Sequence, residues 1–167
     1  EDKKRGKIQK IFSNSQFICV THGNNELFAN RTKIEDYINE NLNERNYYAF
    51  FDKMLSDLKK SKPYYNNGIY QFIIGFYKDK KPYLRNVMVD YHASWVDYQD
   101  IKGEYAVSYA GSELYLKMYD IIPKYNDIPI EEYASLIKKQ VEAMIDIFDD
   151  GIQYNPVGKP VNIEVYK

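Results

Sequence analysis

The chain has 167 residues, with 23 Lys plus Arg against 24 Asp plus Glu and a formal charge of −1, a length that suits one domain with a sizeable core. Its apolar runs are far shorter than a membrane span, no basic segment followed by an apolar stretch opens it, and the neutral balance argues against a dedicated nucleic-acid binder. A single cysteine, Cys19, excludes an intramolecular disulfide and a multi-cysteine zinc site and fits a reducing, cytoplasmic setting.

Lys7 to Phe12 and Gln16 to Thr21 read as two short strands. Ser13-Asn14-Ser15 between them is turn chemistry, so a hairpin is expected. Gly23-Asn24-Asn25 breaks the pattern. From Glu26 to Leu42, the positions of Leu27, Phe28, Ile34, Tyr37, Ile38 and Leu42 suggest an amphipathic helix. Tyr47, Phe50, Phe51, Met54, Leu55 and Leu58 then fall at i, i+3, i+4, i+7, i+8 and i+11, one face of a second helix. Pro63 and Asn66-Asn67-Gly68 end it.

Ile69 to Tyr77 is too apolar for a half-exposed strand and predicts a central strand buried on both sides. Lys78-Asp79-Lys80-Lys81 turns into a hairpin partner over Pro82 to Asp90. A polar loop and a short strand over Glu104 to Ala110 are expected next. Gly111-Ser112 opens a helix that Pro123 closes. Pro129, Glu131 and Glu132 mark the first turn of the longest helix, whose apolar face runs from Ile130 to Phe148. Val161, Ile163 and Val165 alternate over a last strand, Pro160 to Tyr166. The order ββ-αα-βββ-αα-β implies two sheets with a helical layer on each outer side.

Several chemistry-bearing residues have bland alternatives. Cys19 and His22 lie three apart on a strand and so face opposite ways, which makes Cys19 a buried structural thiol. Asp90, His92 and Ser94 are the residue types of an acyl-transfer triad, but neighbouring positions on one strand fit that geometry poorly. The 18 tyrosines have no basic stripe beside them for base stacking and suit an oligomer surface instead. No Gly-rich phosphate loop, metal-spaced His/Asp set or catalytic carboxylate pair stands out, so neither cofactor nor metal is expected.

Taken together, three motifs resemble the proteasome-type N-terminal nucleophile (Ntn) hydrolases. Lys7-Ile8-Gln9-Lys10-Ile11 with Phe17-Ile18-Cys19-Val20-Thr21-His22-Gly23 is similar to that family's Lys-Ile-x-x-Ile strand, hairpin and small-Gly turn. Phe72 to Tyr77 with Tyr83-Leu84 and Val89-Asp90 resembles its apolar-Gly-Tyr hairpin. Val107 to Ser112 resembles its Gly-Ser-Gly turn, and Val157 to Val161 its closing segment. The resemblance implies an α+β fold, a four-layer αββα sandwich, in one domain over residues 1–167. It also implies a ring-forming homo-oligomer acting on a peptide or amide, with no nucleic acid and no membrane as partner.

The implied chemistry is attack by an N-terminal Thr, Ser or Cys, with the α-amino group handling the proton. Lys7 matches the family lysine that favours the anionic nucleophile, with Lys10 as the alternative register, and Gly23 matches the glycine whose N–H meets the oxyanion. Glu1 cannot be the nucleophile. The expectation is therefore that two strands carrying it precede this chain. Ala110, Tyr154 and Val157 stand where the family has a serine, an aspartate and a serine, which motivates the alternative of a non-catalytic structural or interaction subunit.

Overall fold

The computed structural model describes residues 9–42, 46–101, 128–151, 159, 161 and 163. They fall in two compact units, one within Gln9–Tyr109 and one containing the described residues from 128 onward.

The first unit is a single antiparallel sheet with two helices. Its elements are β1 (Ile11–Ser13), β2 (Phe17–His22), α1 (Ile34–Asn41), α2 (Tyr47–Ser61), β3 (Ile69–Lys78), β4 (Lys81–Asp90) and β5 (Trp95–Ile101). The strands lie in chain order, β1-β2-β3-β4-β5. The first hairpin closes on Asn14, whose Oδ1 accepts from Gln16 N at 2.8 Å and Phe17 N at 3.0 Å, the Asx-turn habit of that residue. Asn46 caps α2 by accepting from Tyr48 N at 2.9 Å. Lys59 and Lys60 in the last turn suit the negative end of that helix.

The four-layer sandwich expected from the resemblance is overturned by this sheet. β2 pairs directly with β3, from Phe17 opposite Phe76 to His22 opposite Gln71. The early hairpin and the three later strands therefore share one ladder instead of seeding two stacked sheets. Two local expectations also fail. The helix foreseen over Glu26 to Leu42 starts only at Ile34, because Glu26 and Phe28 make extended bridges to Lys33 and Pro63. The polar loop after Asp90 contains β5, whose Val96 and Tyr98 point inward between the polar Asp97 and Gln99.

One face of the sheet packs on the helices. Phe12, Cys19, Phe72, Ile74, Val87 and Val89 from the strands meet Phe50, Phe51, Met54 and Leu58 of α2 in one buried cluster. The Phe51 and Phe72 rings lie 4.9 Å apart. The alternate residues Ile18, Val20, Ile73, Leu84 and Met88 are half-buried on the other face. Gly75 lets β3 approach β2 there, since a Cβ at this position would lie 2.7 Å from Ile18 Cγ2.

The second unit holds α3 (Ile130–Gly151), with Glu131 and Glu132 in its first turn as the sequence predicts. Met144, Ile145 and Phe148 form a small core to which Val141 and Val161 add. The expected strand over Glu104 to Ala110 and the expected helix from Gly111 to Pro123 lie outside the described residues, as does most of the expected strand over Pro160 to Tyr166.

Candidate functional site

Of the two residues that the resemblance marks, Lys7 lies outside the described residues and Gly23 ends β2. Gly23 has φ of +80°, and a Cβ built on it would meet nothing within 4 Å. Backbone conformation, not crowding, is what calls for glycine here. Three polar side chains gather at this end of the sheet. Lys10 carries its backbone carbonyl to Thr21 N at 3.0 Å, and its ammonium donates to Asn25 Oδ1. Asn25 in turn accepts from Ile34 N through its carbonyl at 2.8 Å, which fixes the start of α1. Asn24 ties the same turn to β3 by donating to Ile69 O at 3.1 Å.

The electrostatics follow from burial. His22 is held below the usual imidazole range, first by burial and then by the Lys10 charge, so it is a neutral base near pH 7. Thr21, 2% exposed, has no hydrogen-bond partner for its hydroxyl among the described residues. Cys19 is wholly buried and its thiol is pushed up to about 12 by desolvation, which leaves it protonated and unreactive. The resulting site offers a neutral imidazole and a turn of positive φ at the end of β2, with an ammonium brought beside them where Lys10 pairs with Thr21.

The Asp90, His92 and Ser94 set does not form a relay. Asp90 Oδ1 accepts from Ala93 N at 2.9 Å, His92 Nε2 lies 2.8 Å from Asn66 O, and Ser94 Oγ lies 3.5 Å from Tyr91 O. Each side chain braces the β4–β5 turn by bonding backbone. Among the described residues, no group of three His, Cys, Asp or Glu side chains could hold a metal ion, and no helix is long and apolar enough to cross a membrane. Ala110, Ser112, Tyr154 and Val157 lie outside the described residues.

A second polar cluster escaped the sequence reading. The Arg85 guanidinium lies 5.5 Å from the ring centroid of Phe76, 5.7 Å from those of Tyr47 and Tyr48, and 5.9 Å from that of Tyr98. It donates to Asp100 Oδ1 at 2.6 Å, to Tyr47 Oη at 2.8 Å and to Tyr48 Oη. Hydrogen bonding to Tyr47, and then to Arg85, lowers the Tyr48 phenol below its ordinary value, whereas burial raises that of Tyr47. The cluster joins the start of α2 to β3, β4 and β5. The tyrosine doublet and the lone Arg in an apolar strand were visible signals. Tyr98 and Asp100 were hidden because their strand read as a loop.

Comparison of the chain with known protein families, with curated proteins and with solved structures finds no match.

Proposed function

We propose that this chain serves as an interaction subunit of a protein assembly and meets its partner through the hairpin between β3 and β4. The observation that carries this reading is the stretch Tyr77 to Tyr83, exposed at every residue. β2 accompanies β3 only as far as Phe76, and β5 accompanies β4 only as far as Leu84. Among the described residues, the two strands therefore run past their neighbours as an arm. Tyr77 and Tyr83 are 48% and 38% exposed, and tyrosine is a residue favoured in interface cores. A photo-cross-linking residue at position 83 tests the proposal. Discrete protein adducts are expected there and not from the same residue at the exposed Glu40 of α1. Absence of adducts at position 83 would overturn it.

A second reading is a subunit of a proteasome-like Ntn peptidase or amidohydrolase. The specific support is the cluster at the end of β2, where Gly23 would present a backbone N–H to an oxyanion and His22 and Lys10 would shape its charge. An electrophilic threonine-protease probe applied to the protein produced from its whole gene tests this reading. Stoichiometric covalent labelling is expected, and an unlabelled protein would exclude it.

A further inference from the structure

Three tyrosine hydroxyls in this fold pair as donors. Tyr37 donates to Asp57 Oδ2 at 3.0 Å, Tyr65 to Glu26 Oε2 at 2.6 Å and Tyr70 to Leu27 O at 2.6 Å. A phenol that faces an acceptor holds its proton, and its oxygen is a poor nucleophile. Tyr48 is placed the other way round. Its Oη accepts from Arg85 Nη1 and is hydrogen-bonded to the Tyr47 hydroxyl. Tyr47 Oη accepts from the same Nη1 at 2.8 Å, so its own O–H is left to donate to Tyr48. Two donors thus converge on one phenol oxygen, an arrangement that favours the anion.

The side chain is also reachable. Tyr48 is 41% exposed, whereas the Arg85 side chain behind it is 14% exposed. Tyr47 and Tyr98 pack against the core, and Tyr48 does not. Its ring is held 4.4 Å from that of Tyr47 and 4.7 Å from that of Tyr98. Asp100 engages Arg85 Nε at 2.6 Å, which braces the guanidinium and leaves Nη1 to both phenols. The Tyr47 hydrogen bond first, and those of Arg85 against burial, hold the Tyr48 phenol below its ordinary value.

We propose that Tyr48 is a modification site, a nucleophilic phenol that takes an acyl group from an activated thioester or ester, with Arg85 and Tyr47 as its positioning residues. The phenolate oxygen attacks the carbonyl carbon and a C–O bond forms. The bond from that carbon to the thiolate or alkoxide breaks, and the phenolic proton departs with the leaving group. A phosphoryl donor fits less well. Asp52 lies one helical turn beyond Tyr48, and burial and then the Asp52 charge push up the neighbouring Tyr98 phenol. With Asp100, two carboxylates stand against one guanidinium and repel a phosphoryl dianion, whereas an uncharged carbonyl meets no such barrier.

The experiment treats the full chain with limiting N-acetylimidazole at about pH 7.5, where ordinary phenols are almost wholly protonated. Peptide mass spectrometry maps the acetyl groups, and hydroxylamine, which cleaves a tyrosine ester and spares a lysine amide, identifies those on phenol oxygen. Tyr77 and Tyr83, 48% and 38% exposed, are internal controls. Tyr48 is expected to react at least about tenfold faster than either, as an activated nucleophile should. Its rate is expected to reach half-maximum below about pH 10, the ordinary phenol value. Y47F and R85M should each slow Tyr48 several-fold and move that midpoint upward, with circular dichroism as the check on folding. Y47F keeps the arginine, so it decides the matter should R85M misfold. D100N keeps both donors and should leave Tyr48 at least as reactive as in wild type. Acetylation of Tyr77 or Tyr83 as fast as Tyr48, or a Y47F variant with the wild-type rate and midpoint, would overturn the proposal. So would transfer of the phosphoryl group, in place of the acetyl group, from acetyl phosphate to Tyr48.

Discussion

Arg85 and Asp100 face each other across the β4–β5 ladder, with Arg85 Nε donating to Asp100 Oδ1 at 2.6 Å. The pair is lopsided, because the Arg85 side chain is 14% exposed and that of Asp100 is 46% exposed. Arg85 therefore needs its partners more than Asp100 does. Burial opposes the arginine's charge, and its hydrogen bonds to Asp100 and Tyr48 overcome that and drive its pKa up.

From this asymmetry, Arg85→Met should cost about 2–3 kcal/mol, the sum of lost charge-assisted bonds and ring contacts. Asp100→Asn should cost under about 1 kcal/mol, since an exposed partner is screened. Arg85→Lys should recover little, because an ammonium lacks the fork that reaches Tyr47, Tyr48 and Asp100 together. Urea unfolding monitored by far-ultraviolet dichroism measures all three. A lysine variant as stable as wild type would show that the cluster needs only a charge.

Buried Tyr70 and half-buried Tyr98 should respond oppositely to loss of their hydroxyls. Tyr70 donates to Leu27 O at 2.6 Å, and burial pushes its phenol up to about 12. Tyr98 Oη is buried without a hydrogen-bond partner among the described residues, although its ring packs 4.7 Å from that of Tyr48. Tyr70→Phe removes a made, buried bond, while Leu27 O keeps the Tyr64 N–H at 3.1 Å, so a loss of about 1 kcal/mol is expected. Tyr98→Phe removes only an uncompensated desolvation and should be neutral or stabilising by about 0.5–1 kcal/mol. Thermal melts of the two variants decide this. A Tyr98→Phe variant that melts well below wild type would mean that its hydroxyl has a partner after all.

Elements with a strong apolar period were legible in the sequence, and elements defined by long-range pairing were not. Phe50, Phe51, Met54, Leu55 and Leu58 announced α2 and its buried face, and all five are in the core. The β3–β4 hairpin followed equally directly from one apolar run, a lysine-rich turn and a second run. By contrast, Leu27 and Phe28 fit a helical spacing but are held extended by bridges to residues later in the chain, and no local pattern records those. β5 was missed because its outward residues are acids and amides, and an edge strand can be half polar and still pair. The sheet count failed for a related reason. The apolar pattern places β2 and β3 inside a sheet without saying that they lie in the same one. At the candidate site, Gly23 was singled out only through the resemblance to a family turn, and its positive φ accounts for it as a turn glycine. Lys10, Asn25 and His22 converge there only because β1 pairs with β2.

Gly75 sits where β3 passes closest to β2, with a hypothetical Cβ 2.7 Å from Ile18 Cγ2. Gly75→Ala should therefore destabilise by about 1–3 kcal/mol, the usual cost of overpacking, even though alanine suits a strand better than glycine. The same change in an Ile18→Ala background should cost far less, because the clashing methyl is gone. The non-additivity of this double-mutant cycle is the signature, measured by chemical denaturation. Purely additive costs would mean that the strands shift apart instead of clashing.

His22 gives the fold a pH dependence whose sign is fixed by its surroundings. Burial and then Lys10 hold its pKa below the ordinary value of 6.5, so the unfolded chain binds a proton more readily than the native one. Stability is therefore full above about pH 6.5 and falls as pH drops through 6.5 toward the native value. Below that value the histidine contributes no further slope. His22→Gln should flatten stability across this window while leaving values above pH 7.5 nearly unchanged. Lys10→Gln removes the second cause and should raise the native pKa of His22, narrowing the window from its acid side. With only two histidines in the chain, NMR titration of the imidazole protons reads the shift directly. A native His22 that titrates at or above 6.5 would contradict both the sign and the assigned cause.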